Sequence, residues 1–290
     1  MAKIVDYGTF AERLKAAPNR WDVLREFHEE WGYAVKPGSS RWDRLSEDEH
    51  EAYVRELHGK ADDDRFEGVD TALPIPAALD EWWELPFNSF THDAQHYETN
   101  PVYPPTVRPD PSGYGVAGPL QDDSDLVAPD ADRRVVVFMA ENQYCNEWGY
   151  LAAEAHEPDP RVLVSVDDDE WVLQARSVSE FFLQLTVQRL PRALGWSLEV
   201  YEEDVADQTL GSAGLLARIR AEMPALGFEP WAELQQNTIV HGGPDVLVYH
   251  ADGELGGLRF TGRTPEAVLE LASRLGVKAD ADDLSEPGDC

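Results

Sequence analysis

The sequence predicts an α+β fold, in which a largely antiparallel, twisted sheet of about six strands carries packed helices and is preceded by N-terminal helices. Three observations lead there. Apolar segments of strand length, "VVVFMAEN" (135–142), "EWGYLAAEA" (147–155), "RVLVSV" (161–166) and "WVLQA" (171–175), follow one another across short polar connections. No crossover helix separates them, so they form an antiparallel meander and not a doubly wound parallel sheet. Residues 9–59 repeat their apolar residues at three- and four-residue spacing, and helical segments return after the meander, where they can cover one sheet face.

In "TFAERLKAAPNRWDVLREFHEEWGY", Thr9 is placed to cap a first helix and Pro18 to interrupt it. Trp21, Leu24, Phe27, His28 and Trp31 then share one face of a second helix. Ser46 and Glu49 form a capping box ahead of "EAYVRELHG", with Gly59 as the stop. A solvated linker is expected in "ADDDRFEGVD" (61–70), and a short helix in "PIPAALDEWWEL" (74–85). The proline- and glycine-rich stretch 99–131 reads as a long loop or a partly ordered insertion.

After the meander, Ser177 and Glu180 open a helix through Phe181, Phe182, Leu185 and Leu190, and Pro191 is expected to end it. "AGLLARIRAEM" gives another helix. The strand pair "DVLVYH" and "GLRFTG" turns at Asp252 and Gly253. Thr264, Pro265 and Gly276 bracket a final helix, "PEAVLELASRL". The domain expectation is therefore a helical extension over 1–61, an α+β domain over 62–277 and a disordered acidic tail over 278–290.

Fifty-six acids against twenty-four bases give a formal charge of -32, which repels phosphate backbones and anionic lipid. Nucleic acid and membrane are thus disfavoured as partners, while the charge by itself fits either solubility or attraction of a cationic partner. Cys145 and Cys290 are the two cysteines, too few for a disulfide framework or a multi-cysteine zinc site. No apolar run reaches a membrane span and the first residues lack a secretory core, so a cytoplasmic location is expected.

Several motifs raise chemistry. "GYGVAG" has the glycine spacing of a dinucleotide loop at Gly113, Gly115 and Gly118, but it lacks a preceding strand and a following helix, so no cofactor is expected there. Asp167, Asp168, Asp169 and Glu170 could gather a divalent metal; their place between two strands suits an exposed acidic turn better. His92 and His96 sit four apart with Asp93 and Glu98 nearby, in a segment without a helical pattern. Cys145 lies on a strand connection and reads as an unreactive thiol.

The ordered series of segments resembles the SUKH superfamily, which includes a yeast cell-wall synthesis regulator and bacterial immunity proteins of polymorphic toxin systems. "ALPIPAALDEWWELPFNS" (72–89) is similar to the family's entry helix, and "VVVFMAENQYCNEWGY" (135–150) to its central strand pair. "DPRVLVSVDDDEWVLQARSVSEFFLQL" (159–185) is similar to its next hairpin and covering helix, and "GPDVLVYHADGELGGLRFTGRTPEAVLELASRLG" (243–276) to its closing hairpin and terminal helix. The resemblance covers residues 68–276.

That resemblance implies a non-enzymatic binding protein, an immunity protein that occludes a basic cognate toxin in the bacterial cytoplasm without a cofactor. A scaffold or regulatory interaction protein is the alternative, and a metal-dependent transferase using Asp167–Asp169 is a third reading. The candidate partner-binding residues are Asp167, Asp168, Asp169 and Glu170, with Glu202, Glu203 and Asp204 as a second patch.

Overall fold

The computed structural model describes residues 4–33, 68–85, 98–110, 117–167, 170–205, 211–234, 236–251 and 257–288. The helices among them are α1 (Phe10–Ala16), α2 (Asp22–Glu30), α3 (Ala77–Glu84), α4 (Val178–Leu194), α5 (Gly211–Glu222) and α6 (Pro265–Leu275). The strands are β1 (Thr99–Arg108), β2 (Val135–Glu141), β3 (Glu147–Leu151), β4 (Val162–Asp167), β5 (Glu170–Ala175), β6 (Trp196–Glu199), β7 (Trp231–Glu233), β8 (Gln236–Gly243), β9 (Val246–Ala251) and β10 (Arg259–Gly262). The fold is α+β. It holds two five-stranded sheets, ordered β1-β2-β3-β4-β5 and β6-β10-β9-β8-β7, with antiparallel pairing throughout the assigned strand pairs.

The chain divides into two compact units. One takes residues 35–182 and 232–235; the other takes 1–34, 183–231 and 236–290. This division departs from the expected boundaries at 61 and 277, because the first helices pack with the C-terminal half of the chain. The N-terminal residues are tied to the turn after β8: Asp245 N donates to Val5 O at 2.7 Å, and Val5 N donates to Asp245 Oδ1 at 2.9 Å. Arg263 Nε donates to Glu30 O at 2.8 Å, and Gly195 leaves the room that the Trp31 ring fills. The expected helix at 46–59, the residues His92, Asp93 and His96, the glycines Gly113 and Gly115 and the turn at Asp252 and Gly253 lie outside the described residues.

In the first unit the expected meander β2-β3-β4-β5 is present and β1 is added at its edge. Residues 99–108 therefore correct the long-loop expectation. Pro101, Pro104 and Pro105 are tolerated because an edge strand pairs on one side only, and the register against β2 shifts between Pro101 and Thr106. The expected linker also ends in contact with the sheet: Val107 N donates to Gly68 O at 2.8 Å, and Arg134 pairs with Asp70 at 2.7 Å. Trp148 and Tyr150 share one sheet face and are buried, with Gly149 between them. A Cβ on Gly149 would stand 2.6 Å from Val136 O, so the strands approach here only with glycine. Phe138 and Trp148 pack on Phe181 of α4 at 5.3 and 5.7 Å between ring centroids, and Trp82 of α3 stacks on Phe182 at 3.9 Å.

In the second unit, Tyr7, Phe10, Phe27 and Trp31 make an aromatic cluster between the N-terminal turn, α1 and α2. Thr9 does not cap α1 as expected: its hydroxyl donates to Asp6 O at 3.0 Å, while Asp6 Oδ1 accepts from Gly8 N at 2.9 Å. The cap is formed one turn earlier. Ser177 and Thr264 do cap their helices, and Gly276 closes α6 at φ 78°.

Pro191 lies inside α4 and does not end it. The proline lacks the N–H that would bond Val187 O, four residues back, and the buried Tyr249 hydroxyl donates to that carbonyl at 2.7 Å. A tertiary donor replaces the missing helical one. The acidic tail is also ordered through residue 288. Where disorder was expected, Ser285 and Ser197 exchange backbone bonds at 2.9 and 3.1 Å, extending the β6 edge, which offers donors and acceptors for pairing.

Candidate partner-binding surface

The polar residues in the central strand pair are occupied by the fold. Glu141 accepts from Gln143 N at 2.8 Å and Cys145 N at 3.3 Å, which closes the turn between β2 and β3. Asn146 donates to Ser165 O at 2.6 Å and accepts from Leu234 N at 2.9 Å. Cys145 is exposed on that turn.

Glu147, with no exposed surface, makes a bidentate pair with Arg108: Nε to Oε2 is 2.8 Å and Nη2 to Oε1 is 2.5 Å. Arg108 also donates to Thr106 Oγ1 at 2.8 Å, and Glu147 Oε2 accepts from Ala117 N at 3.3 Å. Both charges are thereby satisfied inside the unit. Asparagine, glutamate and arginine here hold strands together.

Of the acidic turn between β4 and β5, the structure describes its two ends. Asp167 pairs in register with Glu170, and Glu170 is exposed; Asp168 and Asp169 lie outside the described residues. A hairpin turn is what the sequence led us to expect here.

The second patch, in the other unit, is more complete. Glu202 and Glu203 are exposed on a single helical turn, Glu202–Asp204. Asp204 differs from them: its Oδ2 accepts from Tyr201 N at 2.8 Å, while its own N–H donates to Tyr201 O at 3.1 Å. It caps the turn through one carboxylate oxygen and is half-buried.

Two features of this patch were missed from the sequence. Tyr201, next to the glutamates, is 61% exposed. A second acidic turn, Ala281–Asp283, is brought beside it: Lys278 N donates to Asp204 O at 2.8 Å, and Val205 bridges Val277. Asp280 caps that turn by accepting from Asp282 N at 2.9 Å, and Asp280, Asp282 and Asp283 are exposed. The signals were an aromatic preceding "EED" and a terminal "DADD", but their adjacency depends on an ordered tail.

The same unit holds a cleft of about 540 Å³ lined by Asp6, Glu26, Glu29 and Glu30 and by Arg13 and Arg263. Its cations are bound already. Arg13 Nη2 reaches Glu30 at 2.9 Å and Glu26 at 3.1 Å, and Arg263 Nη1 reaches Asp245 at 2.7 Å. Burial disfavours the Arg13 charge, yet Glu30 and Glu26 more than offset it and raise its proton affinity. Four lining carboxylates against two guanidiniums leave the cleft acidic.

Among the described residues no group of three or more histidine, cysteine, aspartate or glutamate side chains is arranged to hold a metal ion. Among them, too, no helix is long and apolar enough to cross a membrane. Comparison of the chain with family models, curated proteins and solved structures found no match.

Proposed function

We propose that this chain is a protein-binding module that captures a basic partner on exposed acidic turns and, from the SUKH resemblance, that it is an immunity protein neutralising a cognate toxin in the bacterial cytoplasm. The observation that carries the reading is the surface built from Tyr201, Glu202 and Glu203 beside Asp280, Asp282 and Asp283. Exposed carboxylates cost the fold little and raise the rate of encounter with a cationic surface. An exposed tyrosine supplies contact area at small entropic cost, as interface anchors do. The formal charge of -32 extends the same attraction over the whole chain.

Co-expression with toxins encoded beside its gene tests the immunity reading, with growth as the readout. Rescue is expected, and failure to rescue from every neighbouring toxin rejects it. Stopped-flow association with the partner then tests the surface. Glu202→Gln with Glu203→Gln should slow association at low salt, where the screening length is about 30 Å at 0.01 M, and the rates should converge with wild type at high salt. Tyr201→Ala should raise the dissociation rate, and Asp167→Asn, Asp168→Asn and Asp169→Asn together measure the other turn. Coincident curves for all variants would mean that neither acidic turn binds.

A further inference from the structure

His241 and His250 lie on one face of the β8–β9 pair. Register sets His241 opposite Val248 and His250 opposite Ile239, which makes the two histidines diagonal neighbours. Their rings stack at 5.2 Å and 21°, with Nε2 to Nε2 at 3.2 Å. The other nitrogens meet backbone: His241 Nδ1 is 2.9 Å from Met223 O, and His250 Nδ1 is 3.0 Å from Ala251 O. Exposure is 5% for His241 and zero for His250, and the contact at Ala251 O is part-buried.

The hydrogen count does not close for two neutral rings. A carbonyl oxygen only accepts, so each Nδ1 must carry a hydrogen. A neutral imidazole has one hydrogen to place, which leaves two Nε2 lone pairs facing each other at 3.2 Å. Moving one hydrogen to Nε2 makes that contact a hydrogen bond but turns the same ring's Nδ1 lone pair on a carbonyl. Three contacts need three hydrogens, and two neutral rings bring two.

We propose that His241 and His250 together form a one-proton site, in which the folded chain binds a single shared proton between the two Nε2 atoms and excludes a second. One added proton satisfies all three contacts. Two would set N–H against N–H and place two cations in one buried pocket.

The surroundings limit the charge the pair can hold. Burial holds His241 below the ordinary histidine range, the Met223 carbonyl opposes this, and His250 and Arg220 add repulsion. Burial therefore disfavours a proton held by His241 alone. Val248 and Ile239, opposite the histidines in register, are apolar, and Glu222 and Arg274, on the helices α5 and α6 that pack on this sheet through Ile219 and Leu271, pair with each other at 3.3 Å.

A tetrahedral zinc ion would also fit two imidazole nitrogens at this spacing, given Zn–N bonds of about 2.0–2.1 Å. It needs further ligands, and no third histidine, cysteine or carboxylate joins the pair among the described residues. The proton is the ligand the geometry favours.

The linkage has a definite sign. In the unfolded chain both histidines titrate near about 6.5 and take two protons in acid. The folded pair takes one. Wherever the unfolded chain holds two and the folded chain one, this site alone shifts the unfolding equilibrium towards unfolding by about tenfold per pH unit of acidification.

Long-range proton–nitrogen NMR on the full chain with ¹⁵N-labelled histidine, from pH 8 to 4.5, tests the site, with His241→Gln and His250→Gln for assignment. Both Nδ1 signals should stay in the protonated range, and both Nε2 signals should move together in one step that sums to one proton. Two protons taken up before unfolding, independent titration of the rings, or no uptake before unfolding would each overturn the proposal. So would zinc chloride shifting both Nε2 signals at neutral pH, which would make the pair a metal site. If a variant fails to fold, the concerted movement of two wild-type Nε2 signals still decides the matter.

Discussion

Acidification should destabilise this protein through His28, and the size of the effect follows from its surroundings. The ring is fully buried on α2, with Nδ1 2.8 Å from Leu24 O. Burial pushes its pKa down to about 4, against the smaller opposing effect of that carbonyl. Because the folded value lies below the unfolded one, the unfolded chain binds the proton first as pH falls. The stability is complete above about pH 6.5 and is lost progressively towards pH 4. Between pH 7.5 and pH 5 the loss from this one residue is about 2 kcal/mol, and it approaches about 3 kcal/mol at pH 4. Urea unfolding followed by tryptophan fluorescence at both pH values, at fixed ionic strength, gives the wild-type change. His28→Leu keeps an apolar side chain in the site and removes the titration, so its loss over the same interval should be smaller by about 2 kcal/mol. Comparing changes with pH removes the cost of the substitution itself. Parallel decline of wild type and variant would refute the argument, because it would mean that His28 is protonated without penalty in the folded state.

Three further outcomes follow from packing. Tyr249→Phe leaves Val187 O without its donor and should cost about 1–3 kcal/mol. In a Pro191→Ala background the cost should shrink, because an alanine N–H can take the same carbonyl; equal costs in both backgrounds would disprove the substitution of donors. Glu147→Ala should cost about 3–5 kcal/mol by leaving the buried Arg108 charge without its bidentate partner, and a chemical-denaturation midpoint near wild type would contradict that. Trp148→Ala should also cost about 3–5 kcal/mol while leaving partner binding intact in whatever fraction remains folded; a stable variant that no longer binds would place this ring in the interface.

Much of this architecture could be read along the chain because its signals are local. Helix α2 follows from the spacing of Trp21, Leu24, Phe27, His28 and Trp31, and α6 from Thr264, Pro265 and Gly276, since periodicity and caps involve residues within one turn of each other. The β2–β5 meander could be read because each strand is apolar and each connection too short for anything but an antiparallel return. The acidic turn at Asp167–Glu170 was equally plain, because it joins two adjacent strands.

What the tertiary structure decided depends on partners far away in sequence. β1 is a strand despite three prolines because it needs hydrogen bonds on one side only, and β8 ("QNTIVHGG") shows too little alternation to be seen before its neighbours supply the pairing. Pro191 stays helical because Tyr249 arrives from another strand. The acidic tail is ordered because Ser197 stands at an open edge, and that order alone brings Asp280–Asp283 beside Glu202, Glu203 and Tyr201. The hydrogen deficit between His241 and His250 has the same origin: nine residues apart in sequence, they acquire a chemistry only when register fixes their nitrogens at hydrogen-bonding distance from each other and from two carbonyls that local pattern does not reveal.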